Sequence, residues 1–170
     1  MQMLGTILKI NNRLVKALEI TVIIITGFLV LDVLWGVFSR YVLNNQSAWT
    51  EELAKMLLVW MSLLGASIGF IRKSHLGVDY FVSKLNDKMQ IIGQIVVYLL
   101  IAAFASIAMI YGGVRLVIST FQAHQLLQAL QIETGYFYLA LPISGFFIFV
   151  FSIETVIKST ASLLGKHDKE

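Results

Sequence analysis

Charged residues fall in clusters along this chain, and long uncharged stretches run between them. Ile20 to Leu31 carries no charge, and apolar character continues past Asp32 to Phe38. Met56 to Ile71, Met89 to Val114 and Thr134 to Ile153 are also uncharged, and Trp49 to Lys55 extends the second stretch outward. A hydrocarbon core of about 30 Å needs roughly 20 helical residues. The pattern therefore predicts four transmembrane helices, over 17–41, 49–72, 89–115 and 135–157. These spans are too long and continuous for the strands of a membrane barrel. With no repeat, low-complexity tract or linker, residues 1–170 read as a single all-α integral membrane domain.

Two flanking segments have the pattern of surface helices. At about 100° per residue, Leu4, Ile7, Leu8, Leu14, Val15 and Leu18 share one face, opposite Lys9, Arg13 and Lys16. This predicts an amphipathic arm over 1–16 lying on the membrane surface. After the second span, Val78, Phe81, Val82 and Leu85 share a face, with Asp79 and Lys84 off it. A short interfacial helix is expected there. Leu116 to Ile132 is uncharged but rich in Gln, Ser, Thr and His. It is expected to prolong the third helix beyond the lipid and return along the surface.

Composition agrees: 58% of the 170 residues are hydrophobic, 14% are charged, and the mean hydropathy is +0.80. Soluble domains are nearer half apolar and a quarter charged. Cysteine is absent, which excludes disulfides, iron–sulfur clusters, thiol nucleophiles and cysteine-zinc sites. The net charge of +3 follows from where the basic residues sit and does not point to nucleic acid. Of 13 Lys and Arg residues, all but Arg40, Lys55 and Arg115 lie in the N-terminal segment, the middle loop or the C-terminal tail. Basic residues concentrate on the cytoplasmic side, so both termini and the middle loop are expected there. The N-terminus is not read as a signal peptide, because Phe38-Ser39-Arg40-Tyr41 is not a small-x-small cleavage site.

Few residues carry candidate chemistry. Asp32 lies inside the first span, where an ionisable group is a functional suspect. It is either a proton- or cation-binding carboxylate, or a structural group that hydrogen-bonds another helix or reaches water; the structural reading is preferred. Ser47 or Thr50 can cap the second helix, and Glu51 and Glu52 suit its N-terminal dipole. With Trp49 and Arg40 they also form a charged patch. Gly65 and Gly69 form a G-x-x-x-G pair and Ser62 and Ala66 a second small pair, of the kind that lets helices approach closely in lipid. Ala102, Ser106, Ala108 and Gly112 form a similar seam on the third helix. Pro142 is expected to kink the fourth helix or mark its start. Arg72 and Lys73 lie at headgroup level and favour anionic lipid. His75 and Asp79 can hydrogen-bond one turn apart, but two ligands do not make a metal site. No catalytic residue and no metal site are assigned.

Taken together, Arg40-Tyr41, Trp49-Thr50-Glu51-Glu52, Trp60, Gly65-Ala66, Arg72, His75 and Val78-Asp79 resemble the small, Q-type membrane subunit of the tripartite ATP-independent periplasmic (TRAP) transporters. Ala129-Leu130-Gln131-Ile132, Tyr138 and Leu141-Pro142 are similar to that family's approach to its fourth helix. Glu133-Thr134-Gly135 departs from the more apolar turn expected there. The resemblance covers about residues 17–158. It implies a non-transporting inner-membrane subunit, not an enzyme and without a cofactor of its own. Its implied partners are a large elevator-type subunit, where sodium coupling is expected, and a periplasmic binding protein for an acidic solute such as sialic acid. Under that resemblance, Trp60, Ser62, Gly65, Ala66 and Gly69 pack against the large subunit. Arg40, Trp49, Glu51 and Glu52 order the periplasmic end and help dock the binding protein. Arg72, Lys73, His75 and Asp79 fix the cytoplasmic exit of the second helix, with bound phospholipid. The alternatives are a small four-helix proton-coupled transporter using Asp32 and an accessory subunit of another membrane complex.

Overall fold

In a computed structural model of the protein, the backbone is described for residues 2–45, 47–72 and 87–167, and side chains for 13–45, 47–72 and 89–161. Helix α1 covers Gln2–Tyr41 and α2 covers Ala48–Ile71. Helix α3, Asp87–Phe104, continues through a π-helical segment, Ala105–Gly112, into α4, Gly113–Gln122. After a hairpin loop come the single turn α5, Gly135–Tyr138, and α6, Ala140–His167. The described part is all-helical apart from one isolated bridge, Leu126 to Glu133. Four stretches are long and apolar enough to cross a membrane: Arg13–Tyr41, Ala48–Ile71, Met89–Gln122 and Gly135–Ala161.

The arm and the first span form one unbroken helix. Its 40 residues measure roughly 60 Å at 1.5 Å per residue, twice the hydrocarbon thickness. A substantial part of α1 must therefore lie outside the hydrocarbon. The interfacial helix expected around Val78 to Leu85 lies outside the described residues, as do Lys73, His75 and Asp79.

The helices form an open row. Among the described helices α1 packs on α2 alone, α2 also packs on α6, and α6 packs on α3 and the π-helical segment. The two edge helices are consequently bare. Only 6% of the most apolar stretch of α1 is buried, against 28% in α6. Ile23, Phe28, Leu31 and Leu34 on α1 are exposed, as are Leu100, Phe104, Ile107 and Tyr111 along one face of the third span.

Small residues allow the inner contacts. Ser67 of α2 is fully buried and donates to the Leu63 carbonyl at 3.0 Å and to the Ser144 carbonyl of α6 at 3.3 Å. A Cβ added to Gly145 would lie 2.5 Å from the Met109 Cβ, and one added to Gly113 would lie 3.0 Å from Pro142 Cδ. The buried face of the third span is Ala102, Ala105, Met109, Gly113, Val117 and Thr120. It differs from the expected seam, in which Ala108 is exposed and Ser106 and Gly112 are half-buried. The buried positions recur at ordinary helical spacing from Ala102 onward, through the π-helical segment as well, so the face is set by what packs on α6 and not by the small residues of the expected seam. Pro142 stands in the first turn of α6, where its missing N–H has no helical partner to lose.

Candidate functional site

The polar ties gather around α2, which joins the other elements at both ends. The α1–α2 turn is held by Ser39, only 1% exposed. Its hydroxyl donates to the Asn45 carbonyl at 2.9 Å, lies 3.0 Å from Ser47 Oγ and accepts the Ser47 amide at 3.3 Å. Asn44 takes a φ of 50° in this turn, a left-handed conformation that asparagine tolerates. Ser47 occupies the N-cap position of α2, but its side chain makes no capping bond. Thr50 does not cap either: it lies within the helix and donates to the Ser47 carbonyl at 2.7 Å.

This turn brings Arg40 and Glu51 together across the hairpin, Nη2 to Oε1 at 3.1 Å, with both side chains half exposed. Glu52, one residue on, faces elsewhere. Its Oε2 accepts the backbone amides of Ala129 and Leu130 at 2.9 and 3.0 Å. Trp49 is exposed. Trp60 donates its indole N–H to the Tyr136 carbonyl at 3.2 Å, tying α2 to α5. One end of the molecule thus combines the α1–α2 turn, the loop after α4, and α5.

The loop folds back on itself as a short hairpin. Leu127 N–H donates to the Ile132 carbonyl at 2.9 Å and Thr134 N–H to the Gln125 carbonyl at 2.8 Å. His124 Nδ1 lies 3.7 Å from Glu133 Oε1 across it. Gly135 then passes against the Phe121 ring, 2.6 Å from where a Cβ would stand, and Phe121 meets Tyr136 edge-on at 5.3 Å. Glycine at 135, in the departure from the expected turn, is therefore a steric requirement of this packing.

At the opposite end Arg72 follows α2 directly. Its Nε and Nη2 both donate to Glu19 Oε1 of α1, at 3.0 and 2.5 Å. Glu19 is not among the residues marked by the sequence, and Ala129 and Leu130 are marked there only for their resemblance, not as partners of Glu52. A signal was present for Glu19: it precedes the α1–α2 turn by nearly as many residues as Arg72 follows it, so an antiparallel hairpin sets the two side by side.

On α2 itself, Ser62 and Ala66 are exposed and Gly65 and Gly69 half-buried. A Cβ added at Gly65 or Gly69 meets nothing within 4 Å. The close approaches inside this chain use Ser67, Gly113 and Gly145 instead, so the G-x-x-x-G pair is unoccupied by any described helix of the chain.

Asp32 is 6% exposed, and neither carboxylate oxygen has a hydrogen-bond partner among the described residues. The expected hydrogen bond to another helix is not made by any of the described residues. Asp32 lines a cavity of about 180 Å³ between α1 and α2, together with Gly36, Arg40, Thr50 and Glu51. Among the described residues, no three His, Cys, Asp or Glu side chains converge as metal ligands.

Residues 29–161 match the family described as tripartite ATP-independent periplasmic transporters, DctQ component. The chain is 30% identical over 165 residues to the sialic acid TRAP transporter small permease protein SiaQ of Vibrio cholerae, covering 93% of this chain and 90% of that one. It is 30% identical over 149 residues to a putative TRAP transporter small permease protein of Haemophilus influenzae, covering 86% and 88%. Over 84 residues it is 32% identical to the sialic acid TRAP transporter permease protein SiaT of Haemophilus influenzae, covering 49% of this chain and 13% of that longer one.

Proposed function

Since the chain belongs to the DctQ component family of the TRAP transporters, we propose that it acts as the non-transporting scaffold of a sodium-coupled uptake system for an acidic solute. It is a small permease subunit of a transporter, not an enzyme, and a multi-pass protein of the inner membrane. A large permease subunit is its implied partner, since the relative SiaT is itself a permease that contains a segment like this chain.

The observation that carries the scaffold role is the open row of helices. Both edge helices expose continuous apolar faces, and α2 presents Ser62, Gly65, Ala66 and Gly69 with nothing against the two glycines. Small residues without an internal partner suit close approach by a helix of another chain. In this reading the large subunit carries the solute and the sodium sites, and this chain widens and anchors its fixed part. Sialic acid is the favoured solute, because SiaQ and SiaT are both named for it.

The orientation follows the basic residues. The Arg40, Glu51 and Glu52 end faces the periplasm, and the Arg72 end and both termini face the cytoplasm. Glu52 and Trp60 then shape the periplasmic surface by holding the loop and α5, while Arg40, Trp49 and Glu51 are available to the binding protein. Arg72, Lys73, His75 and Asp79 are assigned to the cytoplasmic interface and its phospholipid.

The test is the double substitution Gly65→Leu with Gly69→Leu. Neither side chain meets its own chain at the Cβ, and each replaces glycine by a better helix former, so the fold should hold. The expected result is loss of co-purification with the large subunit and of solute uptake. Undiminished co-purification with normal uptake would remove the seam assignment.

A further inference from the structure

Asp32 has no role in the scaffold described above, yet its position is chemically demanding. The carboxylate lies inside a membrane-spanning stretch, 6% exposed, with both oxygens unpartnered among the described residues. An unpaired ionised carboxylate is among the costliest groups to bury. Protonation would remove the charge but leave a buried O–H donor with no acceptor within hydrogen-bond distance among the described residues. A cationic guest satisfies both oxygens at once.

The surroundings fit such a guest. Asp32 is part of the lining of a cavity of about 180 Å³, room for a small cation with several waters, and its two oxygens lie buried in that wall. Arg40 and Glu51 also line this cavity and pair with each other at 3.1 Å. The charged lining therefore sums to a single negative charge, carried by Asp32. Across from it, Thr50 commits its hydroxyl proton to the Ser47 carbonyl at 2.7 Å, leaving its oxygen lone pairs as acceptors. Gly36, one turn after Asp32, keeps this wall open: a Cβ there would stand 3.2 Å from Thr50 Oγ1. Oxygen donors alone suit a hard cation, and one net negative charge favours a singly charged one.

We propose that the α1–α2 cavity is a binding site for a monovalent cationic group, held by the Asp32 carboxylate and the Thr50 hydroxyl behind the Arg40–Glu51 pair. Two sources offer that chemistry: a free alkali ion, or the primary ammonium of a phosphatidylethanolamine headgroup. The site belongs to this chain and is separate from solute and ion sites in a large subunit.

The experiment uses the full-length chain alone, in micelles and in nanodiscs. Thermal unfolding is followed as sodium chloride replaces choline chloride at constant ionic strength, then in nanodiscs of phosphatidylglycerol with and without phosphatidylethanolamine. A ligand that binds only the folded state raises the midpoint. The wild type should gain several degrees from sodium if the ion is the guest, or from phosphatidylethanolamine if the headgroup is. Asp32→Asn should abolish whichever shift occurs, and Gly36→Ala, which narrows the cavity, should weaken the response several-fold. Infrared difference spectra of the wild type supply a readout independent of the variants: the guest should shift a carboxylate band. A protonated-carboxyl stretch unaffected by either guest, a midpoint indifferent to both, or an equal shift in Asp32→Asn overturns the proposal.

Discussion

Glu52 of α2 accepts the backbone amide of Ala129 at 2.9 Å, across 77 residues of sequence. With the neighbouring Leu130 amide at 3.0 Å, a single carboxylate fixes the loop that follows the third span. The loop reaches into no core of its own, so its conformation depends on this tie, on its internal hairpin and on the Phe121 packing. Glu52→Ala removes one acceptor and strands two donors; hydrogen bonds to a charged group contribute about 1.5–3 kcal/mol each. We expect Glu52→Ala to lose about 2 kcal/mol of stability and to open the 123–134 loop to limited proteolysis. Glu52→Gln, which keeps a carbonyl acceptor, should lose less than half as much by thermal unfolding.

Gly135 and Gly65 should respond oppositely to the same added methyl group. A Cβ at Gly135 falls 2.6 Å from the Phe121 ring, whereas one at Gly65 meets nothing within 4 Å. Overpacking costs typically 1–3 kcal/mol. Gly135→Ala is expected to fall in that range, with partial recovery when Phe121 is replaced by Leu. Gly65→Ala should be neutral or slightly stabilising in the isolated chain. Equal loss in the two variants would mean that the packing at one of them is misassigned.

The Arg72–Glu19 pair predicts a modest, salt-sensitive coupling. Its side chains are 62% and 25% exposed, and exposed pairs are typically worth only 0.2–1 kcal/mol. A double-mutant cycle with Glu19→Gln and Arg72→Gln should give a coupling near the upper part of that range, falling as salt is raised. The charge swap Glu19→Arg with Arg72→Glu should recover most of what either single reversal loses.

Docking at the turn is tested by Glu51→Arg. It places two cations together at the Arg40 position without disturbing the bonds of Glu52 to the loop. Binding-protein-dependent uptake is expected to fall several-fold while co-purification with the large subunit persists. Unchanged uptake would remove Glu51 from the docking surface.

The spans were legible because membrane insertion imposes a length and an absence of charge, and both are visible in one dimension. Ala48–Ile71 differs from the expected 49–72 by one residue at each end. What was not legible depended on register or on distant pairs. The buried face of the third span runs through Ala105, Met109 and Gly113 and not along the small-residue seam, because in an apolar helix the sequence does not mark which face meets α6. The row order, with α6 between α2 and α3, was hidden because apolar helices look alike to one another in composition. Ser39 was overlooked as one polar residue near a helix end, although it organises the turn. Glu51 and Glu52 looked equivalent as adjacent acids in a first turn. The helix points them apart, one to Arg40 and one to the loop.

The central claim is that this chain supports transport without carrying solute, and reconstitution measures that directly. Proteoliposomes would contain this chain alone, the large permease subunit alone, or both, each given the binding protein loaded with radiolabelled sialic acid and an inward sodium gradient. The account predicts uptake only where both membrane subunits are present. Uptake by this chain alone, or full uptake by the large subunit without it, would contradict the account.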